Sequence, residues 1–113
     1  MFEMLHDLAR PVEALRIARE ALSPRGVVLV ADEQVGDAYA GPADEIERRH
    51  YGWSLLSCLP GSMTEPGSAA TGALMRPDKL RNYAREAGFS QCRGAAGRQR
   101  RVPAVSAATV TAG

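Results

Sequence analysis

At 113 residues the chain is long enough for one small domain and too short for a two-domain enzyme. With 45% apolar and 24% charged residues it has the composition of a chain that collapses, not of an obligately disordered one. No apolar run reaches the roughly 18 residues that cross a bilayer, and Met1-Phe2-Glu3 lacks the basic and apolar regions of a secretory signal, so a cytoplasmic address with no membrane partner is expected. The net charge of +1 conceals an asymmetry: all 13 acidic residues precede Ser90, whereas Arg93, Arg98, Arg100 and Arg101 follow it. Cys58 and Cys92 fit neither a disulfide framework nor a zinc spacing and read as reduced thiols.

Residues 11–22 carry Val12, Leu15, Ala18 and Leu22 at spacings of three and four, which puts them on one face of a helix. Pro11 suits the first turn, where its missing N–H has no partner to lose, and Glu13 complements the helix dipole. Ser23-Pro24-Arg25-Gly26 ends this segment. Val27-Val28-Leu29-Val30-Ala31 is apolar without alternation, as in a strand buried on both faces within a parallel sheet. Asp32 and Glu33 then fall at its carboxyl end, the edge at which open α/β sheets bind ligands. Residues 43–59 read as a second helix, with a bend or break expected at Gly52, and residues 60–72 as a long loop of small residues. A third helix opens at Pro77, carries Leu80, Tyr83, Ala84 and Ala87 on one face, and stops at Gly88 with Phe89 beyond. Residues 90–113 show no apolar period and no carboxylate, so a disordered basic tail is expected.

This order of elements resembles the carboxyl-terminal half of a class I S-adenosylmethionine-dependent methyltransferase. Phe2-Glu3-Met4-Leu5-His6-Asp7 is similar to the end of that family's fourth strand and the loop after it, Leu22-Ser23-Pro24-Arg25-Gly26 to its Leu-x-Pro-Gly-Gly turn, and residues 27–32 to its fifth strand. Tyr51-Gly52-Trp53-Ser54, Ser68-Ala69-Ala70-Thr71-Gly72 and Met75-Arg76-Pro77 most resemble bacterial small-molecule methyltransferases. The resemblance covers residues 1–89 and implies a partial Rossmann-like α/β fold, with strands four and five, flanking helices and an incomplete sheet. It also implies what these 113 residues lack: the family's glycine-rich cofactor loop, the acidic residue that holds the ribose, and its last two strands. The expected molecule is therefore a fragment that uses S-adenosylmethionine only within an intact enzyme and has no cofactor-binding residues of its own. A non-catalytic module that completes its sheet with a partner chain, or by self-association, is the alternative.

In the family the loop after the fourth strand borders the reacting methyl. That implies substrate contacts for Glu3 and Met4, and makes His6 the candidate general base because an imidazole titrates near neutrality; the bland alternative is that His6 and Asp7 shape a turn. Trp53 reads as a core anchor or a substrate-pocket wall. Asp32 and Glu33 read as solvated strand-end carboxylates or as ligands for a polar substrate. His50 has no partner at zinc-site spacing, so no metal is expected. Arg98-Gln99-Arg100-Arg101, without aromatic residues between the charges, offers only sequence-blind attraction to nucleic acid, which is not expected as a partner.

Overall fold

A computed structural model describes residues 1–94 and 105–111, with only the backbone for residues 105–108. A 3-10 turn at Leu5–Asp7 leads into helix α1, Pro11–Glu20, and then strand β1, Val27–Glu33. Helix α2, Glu45–Trp53, runs without a break through a π-type turn, Ser54–Cys58, into the short helix α3, Leu59–Ser62. Helix α4, Pro77–Glu86, precedes strands β2, Gln91–Gly94, and β3, Val105–Thr111. None of the described helices is long and apolar enough to cross a membrane.

The sheet is small, open and antiparallel, in the order β1-β3-β2, with Val28 opposite Val110 and Cys92 opposite the same valine. On the other side of β1 the chain start forms a parallel bridge, Phe2 to Ala31. It is held by Glu3 N–H to Ala31 O at 2.7 Å, Ala31 N–H to Met1 O at 2.8 Å, and the Met1 ammonium to Leu29 O at 2.7 Å. Residues 1–3, α1 and β1 thus make one parallel crossover, while the strand partner of β1 is antiparallel.

The core lies between this sheet and the pair α1 and α4. Leu5, Leu15, Val28, Val30, Leu80, Tyr83, Ala84, Phe89 and Val110 pack together there. The apolar stripes at helical spacing supply the helical side of the core, and Gly88, at φ +88°, ends α4 in the left-handed conformation that turns Phe89 inward.

Three expectations need correction. Segments of residues 90–113, read as a disordered tail without strands, form β2 and β3; Arg98, Arg100 and Arg101 lie outside the described residues. Register with β1 defines β3, and a local pattern rich in Ala, Ser and Thr carries little sign of it. Second, β1 is not buried on both faces throughout: Val28 and Val30 are buried, while Val27 and Leu29 are 51% and 42% exposed, and only from Ala31 onward are residues of both faces covered. Third, the helix begun at Glu45 continues to Ser62 beyond the expected loop start, accommodating Gly52 by a π-type turn just after it instead of a break.

Candidate functional site

The site forms where the 3-10 turn meets the carboxyl end of β1. Residues 1–3 are tied to β1 by backbone hydrogen bonds, so the turn that follows is delivered to the end of that strand. There the buried His6 donates from Nδ1 to Oδ1 of the buried Asp32 at 2.5 Å. A carboxylate only accepts, so Nδ1 carries the proton. Asp32 Oδ1 also accepts from the Glu33 N–H at 2.9 Å, whereas its Oδ2 is buried with no hydrogen-bond partner among the described residues. His6 Nε2 faces the half-exposed Asp7 carboxylate at 3.3 Å.

Burial alone would lower the His6 pKa. The hydrogen bond and charge of Asp32, with Asp7 and Glu33 behind them, outweigh it and leave the imidazole above its ordinary value. Cys58, the last residue of the π-type turn, completes the group: its thiol, the Asp7 carboxylate and the His6 ring each offer an atom within 4.8 Å of the others. Burial, followed by a hydrogen bond to Asp7, pushes this thiol up to about 11. The π-type turn buries Ser54 and half-buries Cys58 while leaving Leu55, Leu56 and Ser57 in solvent.

Neighbouring polar pairs brace this edge. His50 Nε2 lies 3.1 Å from Glu33 Oε2. Burial, opposed by His50 and reinforced by Glu3 and Asp32, holds the Glu33 carboxyl above its usual range. Arg76 clamps three segments, donating to Glu47 Oε1 at 2.6 Å, Tyr51 Oη at 3.1 Å and the Gly36 carbonyl at 2.7 Å. Ser54 Oγ accepts from the Ala73 N–H at 3.1 Å and ties the 68–75 segment to the helix. Gly72, at φ +69°, is required at that crossing: a Cβ would collide with Ser54 Oγ and lie 2.8 Å from Leu59 Cγ.

Of the residues singled out from sequence, His6 and Asp32 come together, and Glu33 sits beside them with His50. Glu3 and Met4 are exposed, with Glu3 at φ 45°, so both stand at the rim. Trp53 is 65% exposed and does not anchor the core. It shares the outer surface with Leu55, Leu56 and Met63, all exposed, because the described residues place no element over this side of the helix. Sequence reading passed over Cys58 and Arg76 as single functional residues: one is 52 positions from His6, and neither pairing leaves a local pattern. Cys92 lies apart, on β2. Compared with family models and with curated proteins, the chain matches none.

Proposed function

We propose that this chain is the carboxyl-terminal part of an S-adenosylmethionine-dependent small-molecule methyltransferase, inactive by itself, in which His6 accepts the proton of the methyl acceptor. The observation that carries the reading is the His6–Asp32 pair at the carboxyl end of β1. A buried carboxylate fixes the ring and its tautomer, and the second nitrogen lies against the half-exposed Asp7 carboxylate at the sheet edge where α/β proteins work. The crossover from residues 1–3 through α1 to β1, and the two strands after Phe89, support the same family reading. So does the bare face of β1, since Val27 and Leu29 belong to a run suited to burial on both sides.

The residues present do not make up a cofactor site. No glycine-rich strand-turn-helix occurs among the 113 residues. The carboxylates at this edge that could hold ribose hydroxyls are engaged within the chain: Asp32 by His6, Glu33 by His50 and Glu47 by Arg76. The glycine-rich half has to be supplied from outside these residues. Calorimetric titration of the purified chain with S-adenosylmethionine should therefore give no saturable heat at micromolar concentrations, where binding corresponds to about −8.2 kcal/mol. A single-site isotherm in that range defeats this reading. DNA preceding the coding sequence should encode a glycine-rich strand-turn-helix, and adding that segment should restore binding.

One observation favours a second reading, a non-catalytic module completed by a partner strand. Among the described residues, 1–3 pair with β1 on one side only, and Phe2 is 70% exposed. A partner seated at that edge without any cofactor binding in the reconstituted protein would select it.

A further inference from the structure

We propose that His6 Nε2, the Asp7 carboxylate and the Cys58 sulfur form a binding site for a divalent cation of the zinc class. Their donor atoms lie within 4.8 Å of one another, and the Nε2 to Oδ1 separation is 3.3 Å. A tetrahedral zinc with arms of about 2.0–2.3 Å holds its ligand atoms roughly 3.4–3.6 Å apart, so the nitrogen–oxygen edge is already set and the sulfur needs only a short side-chain movement. One nitrogen, one oxygen and one sulfur suit zinc or a similar thiophilic ion and are a poor set for calcium or magnesium.

A second arrangement points the same way. Metal-bound imidazoles nearly always give their other N–H to a carboxylate, which fixes the ring and raises its basicity. His6 does this already, through Nδ1 to the buried Asp32. The charges that act on His6 are all negative, from Asp32, Asp7 and Glu33, so the gap between Nε2 and Asp7 favours a cation. On metal binding the proton of the Cys58 thiol, and that of Nε2 where the ring is protonated, leave to solvent, and thiolate and nitrogen lone pairs take the metal. Asp7 is half exposed, so water can take the fourth position. This inference is independent of the methyltransferase reading. A metal on Nε2 occupies the lone pair that would accept an acceptor's proton, so the two uses of His6 exclude each other at any moment.

The test titrates the reduced full chain with Zn2+ against a chromogenic chelator, and with Co2+ as a spectroscopic probe. One equivalent should bind at micromolar concentration or tighter. The Co2+ form should show a thiolate-to-metal charge-transfer band in the near ultraviolet, and Zn2+ should shift the His6 ring resonances. Cys58→Ser should abolish the band and weaken Zn2+ binding at least tenfold, and Asp32→Asn should weaken it about 10–100-fold. Cys92→Ser, on β2 and apart from the site, should leave both readouts unchanged. Circular dichroism checks the fold of each variant, and if Cys58→Ser does not fold, the wild-type band and the His6 shift decide. Absence of the band from wild type, unmoved His6 resonances, or equal affinity in a folded Cys58→Ser overturns the proposal.

Discussion

Asp32→Asn tests whether the His6–Asp32 pair is built as described. The substitution is nearly isosteric, so its effect is electrostatic and not one of volume. In the native chain Asp32 Oδ1 accepts from His6 and from the Glu33 N–H, and both side chains of the pair are almost wholly buried. An asparagine carbonyl can keep these contacts in neutral form, but it loses a charge-assisted hydrogen bond worth about 1.5–3 kcal/mol. It also puts an amide N–H2 where Oδ2 has no described partner, and an unmatched buried donor costs about 1–3 kcal/mol. With partial relaxation the expected loss is about 2–4 kcal/mol of unfolding free energy, read from urea melts near neutral pH.

The pH dependence carries a definite sign. Because folding raises the His6 pKa, its protonation stabilises the fold fully below the unfolded value of about 6.5, and that contribution disappears as pH rises through the folded pKa. The difference between wild type and Asp32→Asn should therefore be larger at about pH 6 than at about pH 9. In the variant, burial is left to face only Asp7 and Glu33, and the His6 pKa should fall, as followed by the imidazole proton resonance. If His6 titrates at an unchanged pH in a folded variant, the pairing argued here is wrong.

Other outcomes follow from single contacts. Gly72→Ala should destabilise by about 2–4 kcal/mol, combining left-handed strain with overpacking against Ser54 and Leu59, and a thermal melt within a degree of wild type would show that the crossing is looser than described. Arg76→Ala removes the guanidinium from the buried Glu47 carboxylate and should cost about 3–5 kcal/mol, with Arg76→Lys recovering only part; equal stability of Lys and Arg would refute a three-way clamp. Val30→Ala, at a side chain 1% exposed, should cost about 1.5–3 kcal/mol in a chemical melt. Leu29→Lys, on the uncovered face of β1, should change folding by less than about 0.5 kcal/mol yet reduce concentration-dependent sedimentation, and unaltered association would remove this face from the contact.

Legibility from sequence followed the range of the interaction. Helices α1 and α4 announce themselves through Pro11, Pro77, Gly88 and apolar spacing, because caps and stripes act over a few residues. Strand β1 is visible as a β-branched run, but the exposure of Val27 and Leu29 beside the buried Val28 and Val30 is decided by what packs on each face. The backbone pairing of Thr109 and Val110 with Leu29 and Val28 joins positions 80 or more residues apart, which no local pattern encodes. The site divides in the same way. His6 and Asp32 could each be picked out by chemistry and strand-end position, but their hydrogen bond spans 26 residues and needs the parallel bridge at Phe2 to bring the turn to the strand. The core-anchor reading of Trp53 fails because a large aromatic on an amphipathic segment ordinarily faces a core, and here the π-type turn and the absence of a covering element among the described residues leave it outside.

The bare surfaces of this molecule bear on its site as well as on its stability. Val27 and Leu29 alternate with the buried Val28 and Val30, so whatever covers the outer face of β1 bears on the strand that carries Asp32 at its end. Residues 1–3 lie along the same strand and lead directly into the turn that carries His6. A partner strand added at their free edge would extend the hydrogen-bonded ladder, reduce the freedom of that turn and sharpen the His6–Asp32 geometry without touching either side chain. Amide exchange at Leu5, His6 and Asp7 gives the measure: protection should rise when a partner strand is supplied, while that of α4, whose packing lies on the already covered face, should change little. Equal gains at both places would mean that completion stabilises the whole domain and that the site has no separate dependence on the open edge.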